Sequence, residues 1–158
     1  MRLTIGVLLA VLFCPLAQAE LIDEINDRGE LRIAVLSDTP PYVLKEDQHL
    51  TGFEIELGQA LAKELDVRAE FVEATAEDVL PGVVSGKYDI AFNKTQPELP
   101  LAPELVTSQP FSEPHLVIPF QKGNPAFESA VNNALKRIES DGRLAALEQK
   151  WLQREAQK

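Results

Sequence analysis

Apolar residues recur along this chain with two different periods. Phe53, Leu57, Leu61 and Leu65 return every four residues, the spacing that puts side chains on one face of a helix. Thr51, with Glu54 three residues on, reads as the capping box that opens this helix. In contrast, Leu31 to Leu36 (LRIAVL) is almost continuously apolar, as in a strand buried on both faces. Arg68 to Ala74 (RAEFVEA) alternates like a half-covered strand, and Tyr88 to Asn93 (YDIAFN) reads as a third strand. Between these two lies DVLPGVVSG, with an acidic start, Pro81 tolerable in a first helical turn, and Gly86 as the stop. A short leading helix from Leu21 to Arg28 ends at Gly29. Strand, helix, strand, helix, strand with short connections implies right-handed crossovers. The expected fold is therefore α/β, a mainly parallel sheet with helices on both faces.

Beyond the third strand the pattern changes. Pro97, Pro100, Pro103, Pro110 and Pro114 fall within nineteen residues, so Gln96 to Pro114 reads as an extended surface connection without regular structure. HLVIPF (115–120) returns as a strand, but Pro119 lacks the amide hydrogen a central strand needs, which suggests an edge or a crossing. Asn124 as cap, Pro125 as first helical residue and Gly142 past the end bracket a helix with Phe127, Val131, Leu135 and Ile138 on one face. A last helix carries the stripe Leu144, Leu147, Trp151, with Trp151 read as a packing residue.

The amino terminus is of another kind. Arg2 precedes an apolar run from Leu3 to Leu16 and then Ala17-Gln18-Ala19, the small-residue pattern of a secretory signal peptide cut before Glu20. The run is too short for a stable membrane span. Cys14 follows Phe13, where a lipobox needs a small residue, so lipidation is not expected. The division is thus residues 1–19 as signal peptide and 20–158 as one domain, located in the periplasm and without disulfides. The whole chain has 15 basic and 25 acidic residues, a net charge of -10. Removing Arg2 takes the processed chain to about -11, which disfavours nucleic acid and anionic lipid as partners.

RGELRIAV, DTPPYVL, LTGFEIELGQALAKEL, GVVSGKYDIAF, SQPF, KGNPAFESAVNNAL and SDGRLAALEQKWL together resemble the family 3 extracytoplasmic solute-binding proteins, periplasmic receptors for amino acids and similar solutes. The set runs in family order over nearly all of residues 21 to 152. The resemblance implies one three-layer lobe of a type II periplasmic binding protein. Family members have two lobes, the second inserted into the first, with a ligand cleft between. Here the segment after SQPF reaches Gln121-Lys122-Gly123 and continues at once as the returning helix, so the second lobe is read as missing near residues 121–124.

By the same resemblance, the first lobe presents to a ligand the loop after strand one, the loop after strand three and the helix start near GFE. Those residues are Asp38, Tyr42, Glu54, Asn93, Lys94 and Thr95. Tyr42 either stacks on a ligand or folds back onto its own lobe. Where the family commonly has Thr-x-Thr-Pro-Glu-Arg, with the arginine clamping an α-carboxylate, this chain has NKTQPELP, with Leu99 in the arginine's place. Lys94 is then either a substitute point charge or a solvated surface lysine.

No nucleophile paired with a base and no metal-ligand spacing is seen, and His49 and His115 lack companions, so neither an enzyme nor a cofactor or metal is expected. Some relatives are cyclohexadienyl dehydratases, whose site depends on a closed two-lobe cleft. The expected function is binding of a small polar, amino-acid-like solute, linked to ABC transport or sensing through a membrane permease or sensor. The alternative is a protein-interaction or regulatory module using the exposed half-cleft. Tyr42, Phe111, Pro114 and Pro119 surround the face a second lobe would cover, and a homodimer through that face is a further expectation.

Overall fold

A computed structural model describes residues 19–92, 100–112 and 115–153. The leading helix α1 (Leu21–Arg28) ends at Gly29, whose φ of 73° places it in the left-handed region a glycine reaches without a Cβ clash. Strand β1 (Glu30–Leu36) follows, then a hairpin of β2 (Leu44–Glu46) and β3 (His49–Thr51). Helix α2 (Phe53–Glu64), strand β4 (Arg68–Ala74), helix α3 (Ala76–Val84) and strand β5 (Ile90–Phe92) complete the first half. Strands β6 (Leu105–Thr107) and β7 (Pro119–Gln121) pair with each other, and helices α4 (Pro125–Ser140) and α5 (Arg143–Trp151) end the described chain.

The central sheet has the order β4-β1-β5 and both pairings are parallel, as the sequence predicts. All three strands therefore present their carboxyl ends, Leu36, Ala74 and Phe92, at one edge. Strand β1 is covered on both faces, which explains its unbroken apolar character. Leu31, Ile33 and Val35 enter a large core with Phe53, Leu57 and Leu61 of α2 and Phe127, Val131, Leu135 and Ile138 of α4. Ala34 faces the other way, into a smaller cluster with Val79 and Val83 of α3, Tyr88, Ala91 and Leu105. Each large aliphatic side chain so buried contributes about 1.5–3 kcal/mol.

At the opposite edge, a buried ion network replaces apolar packing. Asp89 is 1% exposed. Its carboxylate accepts from Arg28 Nη2, from the Arg32 amide at 2.8 Å and from Arg32 Nη2 at 2.9 Å. The network ties the end of α1 to the starts of β1 and β5, and the Asp89 carboxylate raises the Arg32 pKa above its ordinary value. A second junction lies between helices: Glu64 of α2 accepts from Arg137 of α4 and Arg143 of α5. These guanidinium bonds, Arg143 before Arg137, hold the Glu64 carboxyl below the ordinary glutamate range.

Several local expectations need correction. Thr51 does not cap α2; Gly52 is the cap residue, because the helix start is satisfied by loop carbonyls. Pro81 lies inside α3, five residues past its start at Ala76. The stretch after Ser37 is not all loop: Thr39 and Val43 form a bridge and a hairpin follows. The proline-rich connection holds β6, since Leu105 to Thr107 lies between prolines and pairs with Gln121 to Pro119. Of HLVIPF only Pro119 and Phe120 belong to a strand, while Leu116 forms an isolated bridge with Phe111. Asn124 precedes α4 but makes no side-chain bond to that helix.

Candidate functional site

The loop leaving β1 folds into a tight turn. Asp38 sits at φ 51°, and the Thr39 amide donates to Val43 O at 2.9 Å while the Tyr42 amide donates to Thr39 O at 2.9 Å. The Pro40-Pro41 bond within it is cis. This turn brings two carbonyls over the start of α2: the Phe53 amide donates to Pro41 O at 3.1 Å and the Glu54 amide to Tyr42 O at 3.0 Å. The first amides of a helix lack intrahelical partners, so these backbone bonds lock the loop to α2. Only glycine fits at position 52. Its φ is 125°, and a Cβ there would run into the Tyr42 carbonyl.

Three predicted residues meet here. Asp38 is exposed, Tyr42 is half-buried, and Glu54 is buried at 3% exposure in the first turn of α2. The Tyr42 ring lies edge-on to Phe53, 6.1 Å between centroids, so it packs on its own lobe. Burial pushes the Tyr42 phenol pKa up, and the Glu54 carboxylate adds to the shift. Asn93, Lys94 and Thr95 lie outside the described residues; β5, which leads into them, ends at Phe92 on the same edge.

The hairpin is an unpredicted part of this edge. Its turn residues Asp47 and Gln48 both have positive φ, 45° and 68°, as a two-residue hairpin turn requires. LKE and HLT around a two-residue turn are the available sequence signal, obscured because neither turn residue is glycine. Lys45 Nζ reaches Glu73 Oε2 at 2.9 Å, fastening the hairpin to the carboxyl end of β4. That bond holds the Glu73 pKa below its ordinary value.

A cleft of about 680 Å³ lies between Gly29, Gln59, Lys63 and Arg68, at the amino ends of β1 and β4. Another, of about 330 Å³, lies between Phe111, His115, Leu144 and Glu148. Neither is lined by Asp38, Tyr42 or Glu54. Of the residues expected around an open apolar face, Phe111 is 6% exposed and Pro119 is buried, both taken up by the lobe itself; Pro114 lies outside the described residues. Among the described residues no group of three or more His, Cys, Asp or Glu could hold a metal, and no helix is long and apolar enough to cross a membrane.

A parallel sheet between helix layers, with a loop and helix start gathered at its carboxyl edge, is the construction of one lobe of a periplasmic binding protein. The sequence profile of the bacterial extracellular solute-binding proteins, family 3, matches residues 31–154, and the chain belongs to that family. It is 29% identical over 113 residues to the L-cystine-binding protein TcyJ of Escherichia coli strain K12. That alignment covers 68% of this chain but only 41% of the relative. The fold is similar to the crystal structure of the ancestral amino acid-binding protein AncCDT-1, a precursor of cyclohexadienyl dehydratase. There the TM-score is 0.76 at 22% identity, with 84% of this chain and 99% of that one covered. It is also similar to the arginine-bound form of domain 1 from TmArgBP, with TM-score 0.65, 21% identity, and coverage of 73% and 98%.

Proposed function

We propose that this chain is a single-lobe receptor for a small polar, amino-acid-like solute, held at the carboxyl edge of the sheet by Asp38, Tyr42 and Glu54, together with Asn93, Lys94 and Thr95 of the following loop. The observation that carries the reading is the backbone lock between the Tyr42 turn and α2, which fixes an aromatic ring and a buried carboxylate side by side where open α/β sheets bind ligands. Family membership supports it. Cystine is what TcyJ binds by name and arginine is what TmArgBP domain 1 holds; an amino acid is the corresponding ligand class here. In this reading the chain is exported by a cleaved leader to the periplasm, works with an ABC permease or a sensor, and performs no catalysis. The join at Lys122 to Asn124, three residues between β7 and α4, stands where a second lobe would be inserted.

A one-walled site covers less of a ligand than a closing cleft, so affinity is modest unless another chain supplies the second wall. That observation favours a second reading, in which the same edge contacts a partner protein or a second copy of this chain. A thermal-shift screen with amino acids and small organic acids separates the two. A ligand at 100 times its Kd stabilises the native state by about 2.7 kcal/mol. Tyr42→Phe, which keeps the ring on Phe53, is expected to reduce the ligand-induced shift measured against the melting temperature of the unliganded variant. No shift with any compound of these classes would count against the receptor reading and for the protein partner.

A further inference from the structure

At the join the starts of α1 and α4 meet and share side-chain caps. Glu20 forms a capping box with Asp23 at the start of α1, and its Oε2 also accepts the Ala126 amide of α4 at 2.7 Å. Asn124 precedes α4, yet its Oδ1 accepts the Leu21 amide of α1 at 2.9 Å. The Asn124 Nδ2 also donates to Gln121 O at 3.2 Å and Lys122 O at 3.4 Å, so the same side chain holds the backbone of the join. Two helix starts meeting in this way bring two positive dipole ends together, which is unfavourable without negative charge between them. The Glu20 carboxylate supplies it, backed by Asp23 in the first turn of α1 and Glu128 in that of α4. Below the contact, Leu21 and Ile25 are buried in the main core, so α1 is seated as well as capped.

We propose that this shared capping seals the join, making α1 a strap across the place where a second lobe would be inserted. The proposal rests on the reading of Lys122 to Asn124 as that insertion point. Glu20 directly follows Ala17-Gln18-Ala19, so trimming one residue past that pattern removes the cap of a helix 106 positions away. A chain beginning at or before Glu20 has both bonds, and one beginning at Leu21 loses the bond from Ala126 while Leu21 can still donate to Asn124.

Residue-resolved amide exchange on the exported protein tests it, because the signature is crosswise. Glu20→Ala is expected to speed exchange at Ala126 and its neighbours in α4 about fivefold, the effect of one lost cap. Asn124→Ala is expected to do the same at Leu21 in α1. Glu20→Gln keeps an oxygen acceptor and retains most of the protection at Ala126. Loss confined to the helix following each substituted residue, or equal losses in the Gln and Ala variants, would overturn the shared capping. A flexible eight-residue insertion between Lys122 and Gly123 tests the underlying reading separately. An insertion site accepts it with the fold intact, whereas unfolding on insertion, with the crosswise signature present in the parent chain, would refute the insertion-site reading and leave the shared caps standing.

Discussion

The two edges of the central sheet are built by different means. At the amino edge, Asp89 is buried beneath Arg28 and Arg32, and charge holds α1, β1 and β5 together. At the carboxyl edge, the Tyr42 turn is held to α2 by backbone carbonyls and a glycine, leaving the side chains of Asp38, Tyr42 and Glu54 grouped around the loop. The first edge uses its charged side chains for cohesion. The second adds backbone bonds from the turn to α2, with Tyr42 packed on Phe53 and Lys45 paired with Glu73.

The largest effect is expected at the amino edge. Asp89→Ala removes the partner of two guanidiniums that are 27% and 26% exposed, so solvent relieves part of the cost of their separation. A loss of about 3 kcal/mol follows, read from urea denaturation, and any ligand-induced shift persists in the remaining folded protein. At the carboxyl edge, Gly52→Ala forces a φ of 125° on an alanine and drives its Cβ into the Tyr42 carbonyl. The expected loss is about 2 kcal/mol, accompanied by loss of the ligand-induced shift, because the turn carrying Tyr42 must move. If Gly52→Ala cost stability and left ligand binding intact, or Asp89→Ala selectively abolished binding, the contrast between the edges would fail.

The smallest effect is a pH dependence away from both edges. Glu64 has its folded pKa lowered by Arg143 and Arg137, so its contribution is present above the unfolded value, about 4.3. It is lost as pH falls through the lower folded value. Glu64→Gln is therefore expected to flatten the acid side of the stability profile, measured as the urea midpoint at successive pH values, and to leave the alkaline side unchanged.

Much of the architecture is legible in local pattern. The extents of α1 and β4 match the expected segments, and β1 lies within one residue of its expected start, because apolar period and glycine stops are local properties. The candidate site is legible only in part. Asp38, Tyr42 and Glu54 do gather at one edge, but the environment of Tyr42 is decided by Phe53 and by two backbone bonds that no spacing encodes. The hairpin escaped because Asp47 and Gln48 take a conformation usually signalled by glycine or asparagine. Strand β6 escaped because its prolines flank Leu105 to Thr107 without falling among them, leaving the strand's amides free to pair.

By itself, the sequence determined which segments are helices and strands of the parallel sheet, and that β1 is buried on both faces. These follow from residue order and from the covalent limits of glycine and proline. Only the tertiary structure decided which groups satisfy the helix ends. Thr51 and Asn124 both look like caps for the helices they precede, yet α2 is capped by Pro41 and Tyr42 carbonyls, and Asn124 serves α1. An unpaired amide takes the nearest acceptor in space, and across the join that acceptor lies more than a hundred residues away along the chain.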